Sequence, residues 1–343
     1  MMRKLVVGVS LFLCFNLNAQ DIHFSQVAQT PLFINPAAAG VYDGWERVII
    51  NHRNQWLGAG TQFMTSAIAA DANFFKSKFS RKESAHLGVG LLFYNDIGGD
   101  SRFGNQTGAL TLSGILPLGY GHTLSAGIQG GFGNRSADFT NLTFSSQWNG
   151  GQFDQSILSG EANGNSFRYA EASAGLYYTF NGGQSTFNRN EALQIQVGLA
   201  GFHLNRPQLQ YTTTDGDRMY RKFVGHAGVV ADIPGTKLAI DANLVQFIQG
   251  PHFQTIFGAT ARYRLSNGTK VTGYSSQTYI GFGLYHRLRD AVVPTFVLEM
   301  GGFKFGLSYD VTVSTMRKAY TGGSLEFSLS YTNWNNSLWK KRR

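Results

Sequence analysis

The chain has 343 residues, with 42 glycines, 14% aromatic residues, 14% charged residues and a single cysteine. That charged fraction is well below the roughly 25% of soluble domains, and with Cys14 alone neither an internal disulfide framework nor a cysteine metal site can form. Setting aside Arg3 and Lys4, 27 basic residues stand against 20 acidic ones, a formal +7; the cations are dispersed, only Lys340 to Arg343 form a dense run, and no nucleic-acid partner is expected.

At the N-terminus, Arg3 and Lys4 precede an apolar run from Leu5 to Phe15 and a short polar stretch ending at Ala19. This is the layout of a secretory signal peptide over residues 1–19, cleaved after Ala19. The run is about half of the roughly 20 residues that a helical membrane span needs. Cys14 follows Phe12 and Leu13 rather than a small residue, so a lipid anchor is not expected.

A head follows, residues 20–44, with "FSQ" at Phe24 to Gln26 and "NPAAAG" at Asn35 to Gly40. It has no period-two pattern, and Pro31 and Pro36 predict an extended path. It is either a periplasmic arm or a plug folded back into a barrel mouth.

From residue 45 to 332 apolar residues fall on every second position in short segments separated by turn-like residues. Predicted strands are Trp45–Trp56, Gln62–Phe74, His86–Tyr94, Gln106–Leu116, Thr123–Gly131, Arg168–Phe180, Ala192–Phe202, Phe223–Ala231, Lys237–Phe247, Gln254–Leu265, Tyr279–Arg287, Val292–Met300, Phe303–Val313 and Ser324–Thr332. In the thirteenth, Phe303, Phe305, Leu307, Tyr309 and Val311 share one face, and Lys304, Gly306, Ser308, Asp310 and Thr312 the other.

A soluble sandwich would also alternate, but export, abundant glycine and aromatics, and a low charged fraction favour an all-β outer-membrane barrel of about fourteen antiparallel strands. An even count puts both barrel ends in the periplasm. Tight turns are then expected at Pro117 to Gly121, Asp232 to Gly235 and Gly301 to Gly302, with Asn95 to Asn105, Gly133 to Phe167 and Leu204 to Asp217 outside; Lys76 to Ser84 and Ser266 to Ser276 are long for periplasmic turns. Residues 333–343 make a basic tail, in which Trp334 and Trp339 suit an interface.

Projecting the alternation places Arg53, Asp71, Glu171, Asp241, Arg262, Arg264, Arg287, Glu299, Lys304, Asp310 and Glu326 on the inner face. These charges either form an internal ion-pair lattice or serve a solute, a plug or a partner segment. The loop from Gly133 to Phe167 carries Phe139, Phe144, Trp148 and Phe153 among polar residues, which suits either a protein contact or a lid over the barrel mouth. No short metal-ligand spacing occurs among the histidines, and "TDGDR" at Thr214 to Arg218 reads as a polar turn rather than a calcium loop. No nucleophile elbow is present, so neither an enzyme nor a cofactor is expected.

The head "FSQ...NPAAAG", "RNQW" at Arg53 to Trp56, "HLGVGLLFYNDIGG" at His86 to Gly99, "TLSAGIQGGF" at Thr123 to Phe132 and "YHRLRDAV...GFKFGLSYDVTVS" resemble the PorP/SprF family of Bacteroidetes outer-membrane proteins, in the same order. The resemblance implies a part in type IX secretion and gliding motility, beside the secretion machinery. Its implied partner is a large secreted surface protein, such as an adhesin, that carries a C-terminal sorting domain. Two other roles stay open: a core secretion component that binds the periplasmic ring, and a passive diffusion porin.

Overall fold

A computed structural model describes residues 21–56, 63–76, 84–139, 142–160, 166–182, 193–209, 218–266, 278–314 and 323–334. The predicted signal peptide, Asp215 and Asp217 of the polar turn, Trp339 and the terminal cations lie outside the described residues.

Fourteen strands form one closed antiparallel barrel: β1 Glu46–Gln55, β2 Phe63–Phe74, β3 His86–Gly98, β4 Phe103–Gly119, β5 His122–Ser136, β6 Phe167–Asn181, β7 Leu193–Phe202, β8 Lys222–Asp232, β9 Leu238–Gln249, β10 His252–Ser266, β11 Thr278–Arg287, β12 Ala291–Met300, β13 Phe303–Thr312 and β14 Ser324–Asn333. Each strand pairs with its sequence neighbours, and β1 closes the ring on β14 from Glu46↔Asn333 to Gln55↔Ser324. Closure pairs every strand with two neighbours through the body of the ring, which is what allows strands to sit in lipid.

The alternation is what sorts the two faces. On β13, Phe303, Leu307, Tyr309 and Val311 are exposed on the outside, whereas Ser308 and Asp310 are buried inside. Leu91, Phe93, Ile128, Leu176, Leu199 and Phe282 continue the apolar outer band.

At one end of the barrel β4 and β5 are joined by Tyr120 and Gly121 alone, and β12 and β13 by Gly301 and Gly302. This is the turn end. The long connections 137–166 and 203–221 lie at the opposite, loop end, with shorter ones at 99–102 and 288–290. Two expected turns shrink, because Pro117 belongs to β4 and Asp232 to β8.

The head, 21–44, runs through the lumen from the loop end to the turn end. Asp21 meets Lys222 and Gln249 at the loop-end tips of β8 and β9, while the Gly40 N–H donates to Asp71 near the turn end of β2. Its path is not extended, as expected from its prolines, but made of short helical turns. These are α1 Pro31–Ile34 and the 3-10 turns Val27–Gln29 and Pro36–Ala38. Pro31 and Pro36 each open a turn, where a missing N–H costs nothing and the fixed φ is already helical. The Asn35 side chain caps the last of them by accepting from the Ala37 N–H at 2.9 Å.

With the head in place, the barrel has a core. Val27 and Ile34 pack with Val224, Val245, Ile256 and Val293 on one side, and Leu32 and Ala39 with Ile49, Ala69, Leu92 and Ala109 on the other. Wall glycines make the room: a Cβ on Gly88 would stand 2.3 Å from the Ala39 carbonyl oxygen, and one on Gly127 2.6 Å from the Ala37 Cα.

Candidate functional site

The charges projected inward from the sequence all lie on the luminal side of the wall, and nearly all are in ion pairs. Arg53 and Arg287 each approach Asp310 at 2.9 Å, and Arg53 lies 4.0 Å from Glu326. Asp71 pairs with Arg47 at 2.7 Å, Arg264 with Asp232 at 3.2 Å, and Glu299 with both Arg262 and Lys304. Glu171 pairs with His203, and Asp241 accepts a hydrogen bond from the Asn243 amide at 2.7 Å.

The head is the main ligand of this lattice. Both oxygens of Glu326 accept backbone N–H groups of the head, Ser25 at 2.7 Å and Gln26 at 2.8 Å. The Gln26 side chain donates to the Glu326 carbonyl at 3.0 Å and accepts from Ser328 at 2.7 Å. The Ser25 hydroxyl donates to Asp310 at 2.9 Å and accepts from Arg287 at 3.0 Å, and Arg53 donates to the His23 carbonyl at 2.6 Å. Such buried charges are tolerable in a barrel only because they find counter-charges or hydrogen bonds.

Nearer the loop end a second cluster holds the start of the head. Asp21 lies 3.1 Å from Lys222 and 3.2 Å from His203, whose other ring nitrogen is 2.7 Å from Glu171. Burial works against a charged imidazole, but the two carboxylates overcome it and raise His203 to about 9. Burial likewise opposes the Asp21 carboxylate, yet Lys222 and His203 hold its pKa below the usual range. This latch was not visible in the alternation, because His203 follows the end of β7 and Lys222 is the first residue of β8.

The loop aromatics form two edge-to-face pairs, Phe139 with Phe144 at 6.1 Å and Trp148 with Phe153 at 5.2 Å. Phe139 and Phe144 are half-buried, whereas Trp148 and Phe153 are about half exposed and face outward from a small two-residue bridge. Among the described residues no group of three or more His, Cys, Asp or Glu side chains is arranged to hold a metal.

A closed antiparallel barrel with an apolar exterior, a charged and filled interior, and long loops at one end defines the class of outer-membrane β-barrel proteins. The sequence matches the family described as "Type IX secretion system membrane protein PorP/SprF" over residues 16–331. The chain belongs to that family, and its place is the outer membrane. No curated protein sequence matches it significantly. Solved structures with a similar barrel include the β domain of the Bordetella autotransporter BrkA (12% identity, 84% of this chain and 98% of that one, TM-score 0.42). Another is the translocator domain of the autotransporter NalP from Neisseria meningitidis (13%, 90% and 96%, TM-score 0.40). A third is BamA from Haemophilus ducreyi lacking POTRA domains 1–3 (8%, 84% and 70%, TM-score 0.43). The barrel assignment rests on the strand pairing described above rather than on these likenesses.

Proposed function

We propose that this barrel is a non-catalytic component of type IX secretion that supports export and surface anchoring of a cognate secreted adhesin by binding its C-terminal sorting domain. The observation that carries this reading is the occupied lumen. The head fills the barrel from Asp21 to Gly44 and engages its charges, so the useful surface for a partner is the rim rather than a channel. Long loops of outer-membrane barrels face the outside, and the exposed Trp148 and Phe153 in such a loop support a contact there with the secreted protein.

The same observation weighs against a diffusion porin. It also weighs against the core-component reading in the form that uses the head, since a head held inside the lumen has no free face for a periplasmic ring. The test is mass spectrometry of what co-purifies with the tagged barrel in mild detergent from its native host. A large protein with a C-terminal sorting domain is the expected catch. Recovery of periplasmic ring proteins alone would overturn the proposal, as would loss of all type IX export, rather than of one cargo, on deletion.

A further inference from the structure

The wall of the barrel is not equally tall around its loop end. Strand β6 is paired with β5 up to Arg135↔Phe167, but with β7 only from Ala174↔Gly201 downward. One residue above that point β7 ends, at Phe202, and the residues of β6 from Phe167 to Ser173 have a strand on one side only.

What closes part of this edge is a side chain. The turn after β7 sends the Leu204 N–H to the Ala172 carbonyl at 2.9 Å. The Asn205 amide then accepts from the Ala172 N–H at 3.1 Å and donates to the Ala170 carbonyl at 2.8 Å. One amide thus donates and accepts where the peptide groups of a neighbouring strand would. Holding it there requires left-handed backbone at two non-glycine residues, His203 at φ 52° and Arg206 at φ 50°. Further along the same edge the sequence of even-numbered residues continues with the Ala170 N–H and with both backbone groups of Arg168, and among the described residues nothing pairs with them. An unpaired strand edge is a template for another strand.

The position and charge of the edge say what can use it. Outside the wall the exposed Phe132 pairs in register with Ala170, as an aromatic at the lipid boundary would, and the exposed Arg168 lies two residues further toward the loop end, on the water side. The turn that borders the edge carries exposed Arg206, Arg218 and Arg221, tied together by Arg221 donating to the Leu204 carbonyl and by the Gln208↔Arg218 bridge. None of Arg168, Arg206, Arg218 and Arg221 is in an ion pair among the described residues.

We infer that the loop-end edge of β6, from Arg168 to Ala172, is a docking edge for an extended acidic segment of the secreted partner, which adds as a strand and displaces the Asn205 amide. Only a peptide backbone offers alternating donors and acceptors at strand spacing, and carboxylates along it would meet the arginines. The inference rests on the partner-binding role proposed above and specifies where and how the partner is held.

The test is photocrosslinking in the native host, with p-benzoylphenylalanine in place of Arg168 or, as a control across the rim, of Arg289. The expected result is an adduct with the secreted protein from position 168 and none from position 289. A second variant carries R168E, R206E and R218E together, all exposed and outside the core, so the barrel still folds and shows heat-modifiable mobility. It should recover at least tenfold less secreted protein. Adducts from 289 but not from 168, adducts between two copies of the barrel, or unchanged recovery with the charge-reversed variant would overturn the edge while leaving the partner-binding role standing. If the wild-type barrel captures no secreted protein at all, the role and the edge fall together.

Discussion

Replacing Glu326 with Gln should loosen the head without unfolding the barrel. The carboxylate receives two head N–H groups, one on each oxygen, at 2.7 and 2.8 Å. Glutamine offers a single acceptor, so either Ser25 or Gln26 would face an amide NH2 group, and one charge-assisted hydrogen bond is lost outright. Hydrogen bonds to charged groups contribute about 1.5–3 kcal/mol, and about 1.4 kcal/mol is a factor of ten. The amides of Ser25 and Gln26 should therefore exchange roughly 10- to 150-fold faster in the purified barrel, measured by hydrogen exchange with mass spectrometry. Amides in β3 to β5, away from Glu326, should keep their rates, and planar-bilayer recordings should change from closed to transiently conducting. Unchanged exchange in the head, or an equal acceleration in every strand, would refute the view that Glu326 clamps the head.

Further outcomes follow from the same geometry. His203, raised from 6.5 to about 9 in the folded protein, contributes fully below pH 6.5 and loses that contribution as pH climbs through 9, on the order of 3 kcal/mol; Asp21, lowered, acts in the opposite sense and fails only in acid. Protease sensitivity of the head, compared with that of H203Q at each pH, should thus rise between pH 6.5 and 9 in the wild type only. Gly127→Leu puts a side chain where the Ala37 Cα already stands, so the head should be expelled from its lower berth and the barrel should lose several kcal/mol in urea unfolding, about the range of core overpacking or more. Leu91→Arg, on the outer band at 60% exposure, should cost about 2–4 kcal/mol in bilayers and little in detergent.

The barrel was legible in the sequence because strand alternation is a local property. Each of the fourteen strands shows it within about ten residues, and the phase alone puts Asp310 and Glu326 inside and Tyr309 and Leu325 outside. The head was legible only as a choice between a periplasmic arm and a plug, since nothing near Ser25 and Gln26 announces a carboxylate some 300 residues away. Gly88 and Gly127 are visible as inward glycines, but the backbone that they admit belongs to a segment with no period of its own. The prolines misdirected the reading, because a proline that restricts its predecessor can equally start a helical turn. His203 and Asn205 escaped for a different reason: they act from a turn, where no periodicity assigns a side chain to a face.

The threaded head also changes the wiring of the protein across the membrane. Fourteen strands return the chain to the side from which β1 starts, but the head makes one more pass, so the described chain crosses an odd number of times. Asp21 and Trp334 therefore stand on opposite sides of the bilayer. A label ahead of Asp21 would be read from outside the cell, and one after Trp334 from the periplasm.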